Sequence, residues 1–570
     1  MWENGWRQGP SLSKPDILIN LSVPNTRCMK KFLIACQVYL CFVLLSRAQT
    51  VNFTSSNLPI VVINTNGLYI PDDPKITTDF GIIYNGPGVR NNLTDSFNNY
   101  NGKIGIETRG HSSQMFPMKS YGLELRDTAG NSINKSILGM PKESDWVMYA
   151  PYTDKTLMRN FLAYTLSQQT GHWAARCHFV EVVLNGYYIG VYVFMEKIKR
   201  NANRVNIVKM DKTSIAGDDV TGGYIFSLDK DPNAWISKFS PPNNSQSIVH
   251  YSYVYPKAED VVPEQKAYIK SYVDSFETVL AANNFADTIN GYRKFIDVNS
   301  FMDYFFINEV SRNVDAYRLS SFFYKDRNSK NSKIFAGPVW DYDLAFRNAD
   351  YCNGSNTDGW AFEFNKVCPG DGAGLVPFWW SSFMKDTVYT DQLRCRWKAF
   401  RQTVLSEENI YHLVDSIYSL VGEAQQRHFQ QWPVLGEYIW PNPQPIPTSY
   451  NGEIDALKNW IHQRLEWMDN NMPNNGACAD ALTGSDNIEI KISPNPLSSE
   501  LKVQVNSKTN QSVKIRVVDM MGRSMMTRDF NIAVGHNDLI IPSSNWTRGM
   551  YVVRFVFASG DKAVRKVLKN

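Results

Sequence analysis

The feature that most constrains this chain is a change of hydrophobic period. From Leu58 to about Asp229 the apolar residues fall in short runs of strand type: "LPIVVINT", "GKIGIETRG", "KSYGLELRD", "HFVEVVLNGYYIGVYVFMEKI" and "GGYIFSLDK". Asn185-Gly186 stands between two of them and predicts a tight hairpin. One helical segment interrupts the strands, "DKTLMRNFLAYTLSQQTG", with Asp154 as a potential cap and Gly171 as a stop. From about Val262 the spacing becomes helical, as in "PEQKAYIKSYVDSFETVLAANNF" and "VNSFMDYFFINEVSRNVDAY". A sheet-rich half of about 51–260, a helical half of about 261–472 and a cleft between them are expected.

The segment 473–487, "PNNGACADALTGSDN", is small and polar and predicts a linker. The remainder, 488–570, alternates apolar and polar residues between turns, which predicts a small all-β sandwich. The N-terminus predicts a leader: Lys30 and Lys31 precede the apolar run Phe32 to Leu45, and Ala48 offers a cleavage point. Residues 29–48 then form a signal peptide, and 1–28 are an upstream extension. The run is too short for a membrane span, so no transmembrane anchor is expected. The net charge of +4 on 570 residues gives no footprint for nucleic acid.

Removing the leader leaves five cysteines, an odd number, so an exported product keeps at least one unpaired thiol. Cys352 and Cys368 flank one loop and are the expected disulfide. No Cys/His spacing predicts a zinc site, and eight scattered histidines give little support to a histidine-based centre.

The stretch "GPVWDYDLAFRN", Gly337 to Asn348, sets Asp341 and Asp343 among aromatic residues. In an alternating strand both would face one side, where two like charges need a cation, a partner or a proton. A divalent metal answers this most sharply, although an Asp-x-Asp pair serves equally in a sugar-nucleotide enzyme, a calcium-stabilised loop or an ion pair with Arg or Lys.

Two ordered sets of motifs carry resemblances. "TRGHSSQMFPMKSYGLEL", "DWVMYAPYTDKTLMRNFLAYTL", "NGYYIGVYVFMEKIKR", "GGYIFSLDK", "YVYPKAED", "NEVSRNVDAYRLSSFFYKD" and "GPVWDYDLAFRN" run in order from Thr108 to Asn348 and resemble the CotH kinase family. "SPNPLSSELKV", "VVDMMGR", "LIIPSSNWTRGMYVVRF" and "KAVRKVLKN" resemble the type A sorting domain of the type IX secretion system. The first resemblance implies an α+β, two-lobed atypical kinase-like fold over 49–472, phosphorylating Ser or Thr of a protein with ATP and Mg²⁺ or Mn²⁺. The second implies an Ig-like tail, the type IX machinery as a partner, a Bacteroidota-type cell, and release or attachment at the outer-membrane surface.

Phosphoryl transfer needs donors on the phosphates, a metal, and a carboxylate near the attacking hydroxyl. The resemblance gives Asp315 the last role, against the plain alternative of an aspartate closing a turn. It makes Asp341 the first metal ligand and Asp343 the second. Ser320 stands where ordinary kinases have a metal-binding Asn, and a serine hydroxyl is the weaker ligand. Arg109, Ser112 and Ser113 are the expected phosphate donors; Lys119 resembles a strand lysine reaching the phosphates. Arg159 either approaches the phosphates or pairs with Asp154, and Glu196 is expected at the nucleotide. Trp340 and Tyr149 are adenine-stacking candidates that serve equally as core. A silent surface module of the same fold is the alternative to an enzyme.

Overall fold

The computed structural model describes residues 51–229, 235–330, 332–368, 374–474, 478, 488–519, 524–559 and 562–569. The expected leader, 1–48, and most of the linker lie outside them.

The sheet of the first half closes into a seven-stranded barrel, a closure its strand runs did not predict, and the one helical segment packs on its outer face. The barrel strands are β1 (Ile60–Asn64), β2 (Ile76–Ile83), β3 (Tyr100–Arg109), β4 (Ser120–Arg126), β5 (Asp145–Tyr149), β6 (Cys177–Leu184) and β7 (Tyr187–Glu196), ordered β1-β2-β3-β4-β5-β7-β6 around the ring. Closure comes from a parallel pairing of β1 with β6, in which Ile60 faces Glu181. Asn185 and Gly186 both take positive φ, 52° and 83°, which fits the turn between β6 and β7 to their twist.

Alternation along β5 and β7 then sorts side chains between two cores. Trp146, Met148, Tyr192 and Phe194 fill the barrel with Ile104, Ile106 and Leu123. Val147, Tyr149, Val193 and Met195 point the other way and pack with helix α1 (Arg159–Gln169) and the helical half. The Asp154 carboxylate accepts the backbone N–H of Arg159 at 2.8 Å, so it satisfies an open donor of α1 from five residues upstream.

A second sheet contains β8 (Tyr224–Leu228), β9 (Trp235–Ile236), β10 (His250–Tyr255), β11 (Ser321–Lys325) and β12 (Phe335–Ala336), in the order β9-β10-β8-β11-β12. It joins strands from both sides of residue 260, so that position does not divide the sheet system. Phe226, Tyr251 and Phe323 on one face pack against helices α2 (Pro263–Ala281) and α3 (Val298–Ser311). Further α-helices follow among the described residues: α4 (Trp379–Phe383), α5 (Thr387–Arg401), α6 (Glu407–Val421), α7 (Ala424–Gln431) and α8 (Tyr450–Asn471). Among the described residues, no helix is long and apolar enough to cross a membrane.

The tail is β throughout, with a three-stranded and a four-stranded sheet. Leu501, Val503 and Ile541 from the first share one core with Ile515, Val553 and Phe555 from the second. Cys352 and Cys368 are bonded as expected, Cα to Cα 5.0 Å. A second disulfide, Cys395–Cys478, was not foreseen, and Cys177 is a free thiol.

Candidate functional site

Strand β3 ends at Arg109, and Gly110 turns the chain with φ of 106°. A Cβ on Gly110 would stand 1.9 Å from the Ser113 hydroxyl, so no other residue fits this turn as it is built. The turn brings His111, Ser112 and Ser113 over a cleft of about 490 Å³. Val147, Tyr149 and Met195 from the barrel's outer face form one wall, and Ser227, Asp229 and Ser252 from the second sheet form another. Asp315, Leu319 and Ser320 enter after helix α3, which Arg312 ends by taking a left-handed conformation. Trp340, Asp341, Asp343 and Leu344 complete the floor, and Trp440 and Pro441 reach in from a loop between residues 431 and 450.

Residues 337–348 are not the expected strand. Asp341, Phe346 and Arg347 have φ of 63°, 49° and 81°, which no strand accommodates. Side chains and loop carbonyls take over the bonding that a ladder would supply. The Asp341 N–H donates to the Tyr164 hydroxyl at 3.1 Å, the Tyr342 N–H to the Asn160 carboxamide at 2.6 Å, and Asn313 donates to the Asp341 carbonyl at 3.2 Å. Both carboxylates line the cleft nonetheless, because this loop and not strand alternation aims them.

The charge balance is unusual. Asp341 is pushed up to about 6 by burial and by the Asp315 carboxylate, with Arg109 pulling it down and Asp229 pushing it further up. Asp343 is held well above the carboxylate range by burial, then by Asp341 and Asp315. Burial lowers Arg109, and Asp341 opposes that effect. The mutual repulsion of these carboxylates raises Asp341 and Asp343 and so favours a cation or a proton between them. Among the described residues, no three His, Cys, Asp or Glu side chains converge enough to cage a metal unaided. That donor set fits an ion that takes most of its oxygens from phosphate and water.

Asp315 also closes its own turn, its carbonyl accepting the N–H of Leu319 at 3.0 Å, and its carboxylate lies 3.7 Å from the Arg318 guanidinium. Trp340 stacks on Tyr164 at 6.1 Å, and the Arg109 guanidinium lies over it at 5.8 Å. The Tyr149 ring belongs to the core, and its buried hydroxyl has no hydrogen-bond partner.

Three expected residues do not line the cleft. Lys119 donates to the carbonyl of Gln114 and so ties down the turn after Arg109. Arg159 is buried in an ion pair with Asp154 and donates to the carbonyls of Ala345 and Phe346 at 3.1 and 3.3 Å, bracing the carboxylate loop from behind. Glu196 is fully buried with Arg176 at 2.7 Å and Arg204 at 3.0 Å. Its neighbour Met195 takes the cleft side, and strand alternation sends Glu196 away. Sequence reasoning passed over Asp229, Ser227, Ser252 and Asn160. Asp229 lay inside a quoted motif, "GGYIFSLDK", but its strand-end position gave no sign of the loop it would meet.

A model of the family described as CotH kinase protein matches residues 106–468, and one described as Secretion system C-terminal sorting domain matches residues 491–570. No curated protein matches the chain. The first match covers the barrel from the end of β3 onward, the second sheet, the cleft and all but the last residues of α8, so the chain belongs to the CotH kinase family and carries a secretion-system sorting domain after it.

Proposed function

We propose that this exported protein is a kinase that transfers the γ-phosphoryl group of ATP to Ser or Thr hydroxyls of extracytoplasmic proteins. One observation carries the reading: Arg109, Ser112 and Ser113 meet Asp315, Asp341 and Asp343 in a single cleft although the chain spreads them from 109 to 343. In the finer form of this reading, barrel and helices act as the two lobes of a kinase-like fold, and the tail is an Ig-like address for type IX secretion.

Asp341 and Asp343, with the Ser320 hydroxyl beside them, would hold Mg²⁺ or Mn²⁺. When bound, that ion offsets phosphate charge and the repulsion between the two carboxylates. Arg109 and the Ser112 and Ser113 hydroxyls orient the phosphate oxygens. Asp315 accepts the proton of the acceptor hydroxyl as its oxygen bonds to the γ-phosphorus and the bond to the ADP oxygen breaks. Lys119 and Arg159 act one layer out, by holding the turn and the loop.

The test is transfer of label from γ-labelled ATP, with Mg²⁺ or Mn²⁺, into the protein itself and a generic acceptor. Asp315→Ala is expected to bind nucleotide and lose transfer, and Asp341→Ala to lose divalent-dependent binding. Label retained in Asp315→Ala would refute the role of Asp315. Binding with no transfer by the wild type would leave a nucleotide-binding surface module.

A further inference from the structure

The face of the second sheet that carries Ser227 and Ser252 is mainly apolar. Ile225, Val254, Phe322 and Tyr324 cluster on it with Trp340. Between them, Ser227 of β8 and Ser252 of β10 are direct cross-strand partners. Both are buried, at 2% and 6% exposure, and both line the cleft. The Ser252 Oγ has no hydrogen-bond partner. A buried hydroxyl left unpaired on an apolar face is a cost that a ligand relieves. Asp229 follows two residues after Ser227, on the side of the cleft where its charge acts on Asp341. Across from this face stand Val147 and Met195, themselves cross-strand partners and apolar.

We infer that Ser252 and Asp229 together form a ribose subsite, which deepens the nucleotide reading above and rests on it. Ser252 faces Ser227 directly, and Asp229 follows β8 just beyond its end at Leu228, so the hydroxyl and the carboxylate stand on the same wall of the cleft. A ribose carries two vicinal hydroxyls, one to pair with each group at a hydrogen-bond length of about 2.8 Å. A carboxylate is the acceptor that sugar hydroxyls meet in other nucleotide sites. The base then lies against Val147 and Met195, and the phosphates run from Asp229 toward Asp341 and Arg109. A ligand of this class needs one apolar flat part, one diol and one polyanion, and the cleft offers a surface for each in that order.

The experiment measures binding of ATP, 2′,3′-dideoxy-ATP and inorganic tripolyphosphate to the full chain with Mg²⁺, by calorimetry, for wild type and Ser252→Ala. The wild type is expected to prefer ATP to the dideoxy analogue by about tenfold or more. Ser252→Ala is expected to weaken ATP by about fivefold while leaving dideoxy-ATP and tripolyphosphate unchanged. Equal wild-type affinity for ATP and dideoxy-ATP overturns the ribose subsite alone, without need of any variant. Equal weakening of both nucleotides by Ser252→Ala also overturns it. A wild type that binds neither ATP nor tripolyphosphate overturns the nucleotide reading and the subsite with it.

Discussion

The carboxamide oxygen of Asn160 accepts the backbone N–H of Tyr342 at 2.6 Å, so the second residue of helix α1 fixes the peptide between the two cleft aspartates. Asn160 is 2% exposed, and its removal leaves that N–H buried without an acceptor. Such an orphan costs about 1–3 kcal/mol. In Asn160→Ala the loop is expected to relax, with a drop in unfolding temperature and at least about tenfold weaker Mg²⁺-dependent nucleotide binding. Asn160→Asp keeps an acceptor oxygen and is expected to fall between the two. Calorimetry on the three proteins checks this; unchanged nucleotide affinity in Asn160→Ala would show that the loop needs no such anchor.

Gly110 holds the other side of the cleft. With φ of 106° and Ser113 Oγ where a Cβ would go, Gly110→Ala cannot keep the turn. A forced left-handed conformation costs about 1–3 kcal/mol, which this exposed turn avoids by rearranging. The expected outcome is a global stability within about 1 kcal/mol of wild type and a loss of phosphate binding. Tripolyphosphate titration beside a thermal melt reads both quantities.

Local pattern carried much of the fold. The Asn185-Gly186 turn, the strand alternation and the change to helical spacing were legible because each is written within a dozen residues. Closure of the barrel was not, since β1 pairs with β6 across more than a hundred residues and nothing local marks a parallel partner. The same limit explains the site. Asp341 and Asp343 were visible as charges among aromatics and Asp315 only through the family resemblance, whereas the aim of the first two depends on Asn160, Tyr164 and Asn313, which the sequence presents as ordinary helix and turn residues. Glu196 illustrates parity: a shift of one position along β7 exchanges the cleft for a buried ion pair, and residue type alone does not fix the phase of a strand whose two faces are both buried.

His428 sets the acid limit. It lies on α7, fully buried, with its Nδ1 accepting the N–H of Val191 at 3.1 Å, and burial depresses its pKa to about 3. The unfolded chain binds that proton near pH 6.5 and the folded one only near 3, so the unfolded state holds more protons between them. Stability is therefore complete above about pH 6.5 and falls below it, by up to about 1.4 kcal/mol per pH unit from this residue. Denaturant unfolding at pH 7, 6 and 5 is expected to show the fall. His428→Gln, which keeps an acceptor but does not titrate, is expected to flatten it; an equal slope in the variant would place the acid sensitivity elsewhere.

The two disulfides differ in what they tie together. Cys352–Cys368 closes a local loop of separation 16, while Cys395–Cys478 spans 83 residues and fastens the chain beyond α8 back to α5. Loop-closure entropy grows with the logarithm of that span, giving about 3 kcal/mol for the first and more than 4 for the second as upper figures. Replacing Cys395 and Cys478 by Ser is thus expected to cost more than replacing Cys352 and Cys368, when denaturant midpoints are compared under oxidising conditions. Both bonds suit a protein bearing a secretion-system sorting domain, because an oxidising compartment preserves them. Alkylation of the denatured, unreduced chain is expected to find one free thiol outside residues 1–50, that of Cys177, and five after reduction. Three free thiols before reduction would mean that one of the bonds does not form, and peptide mapping of the label would identify which of the two it is.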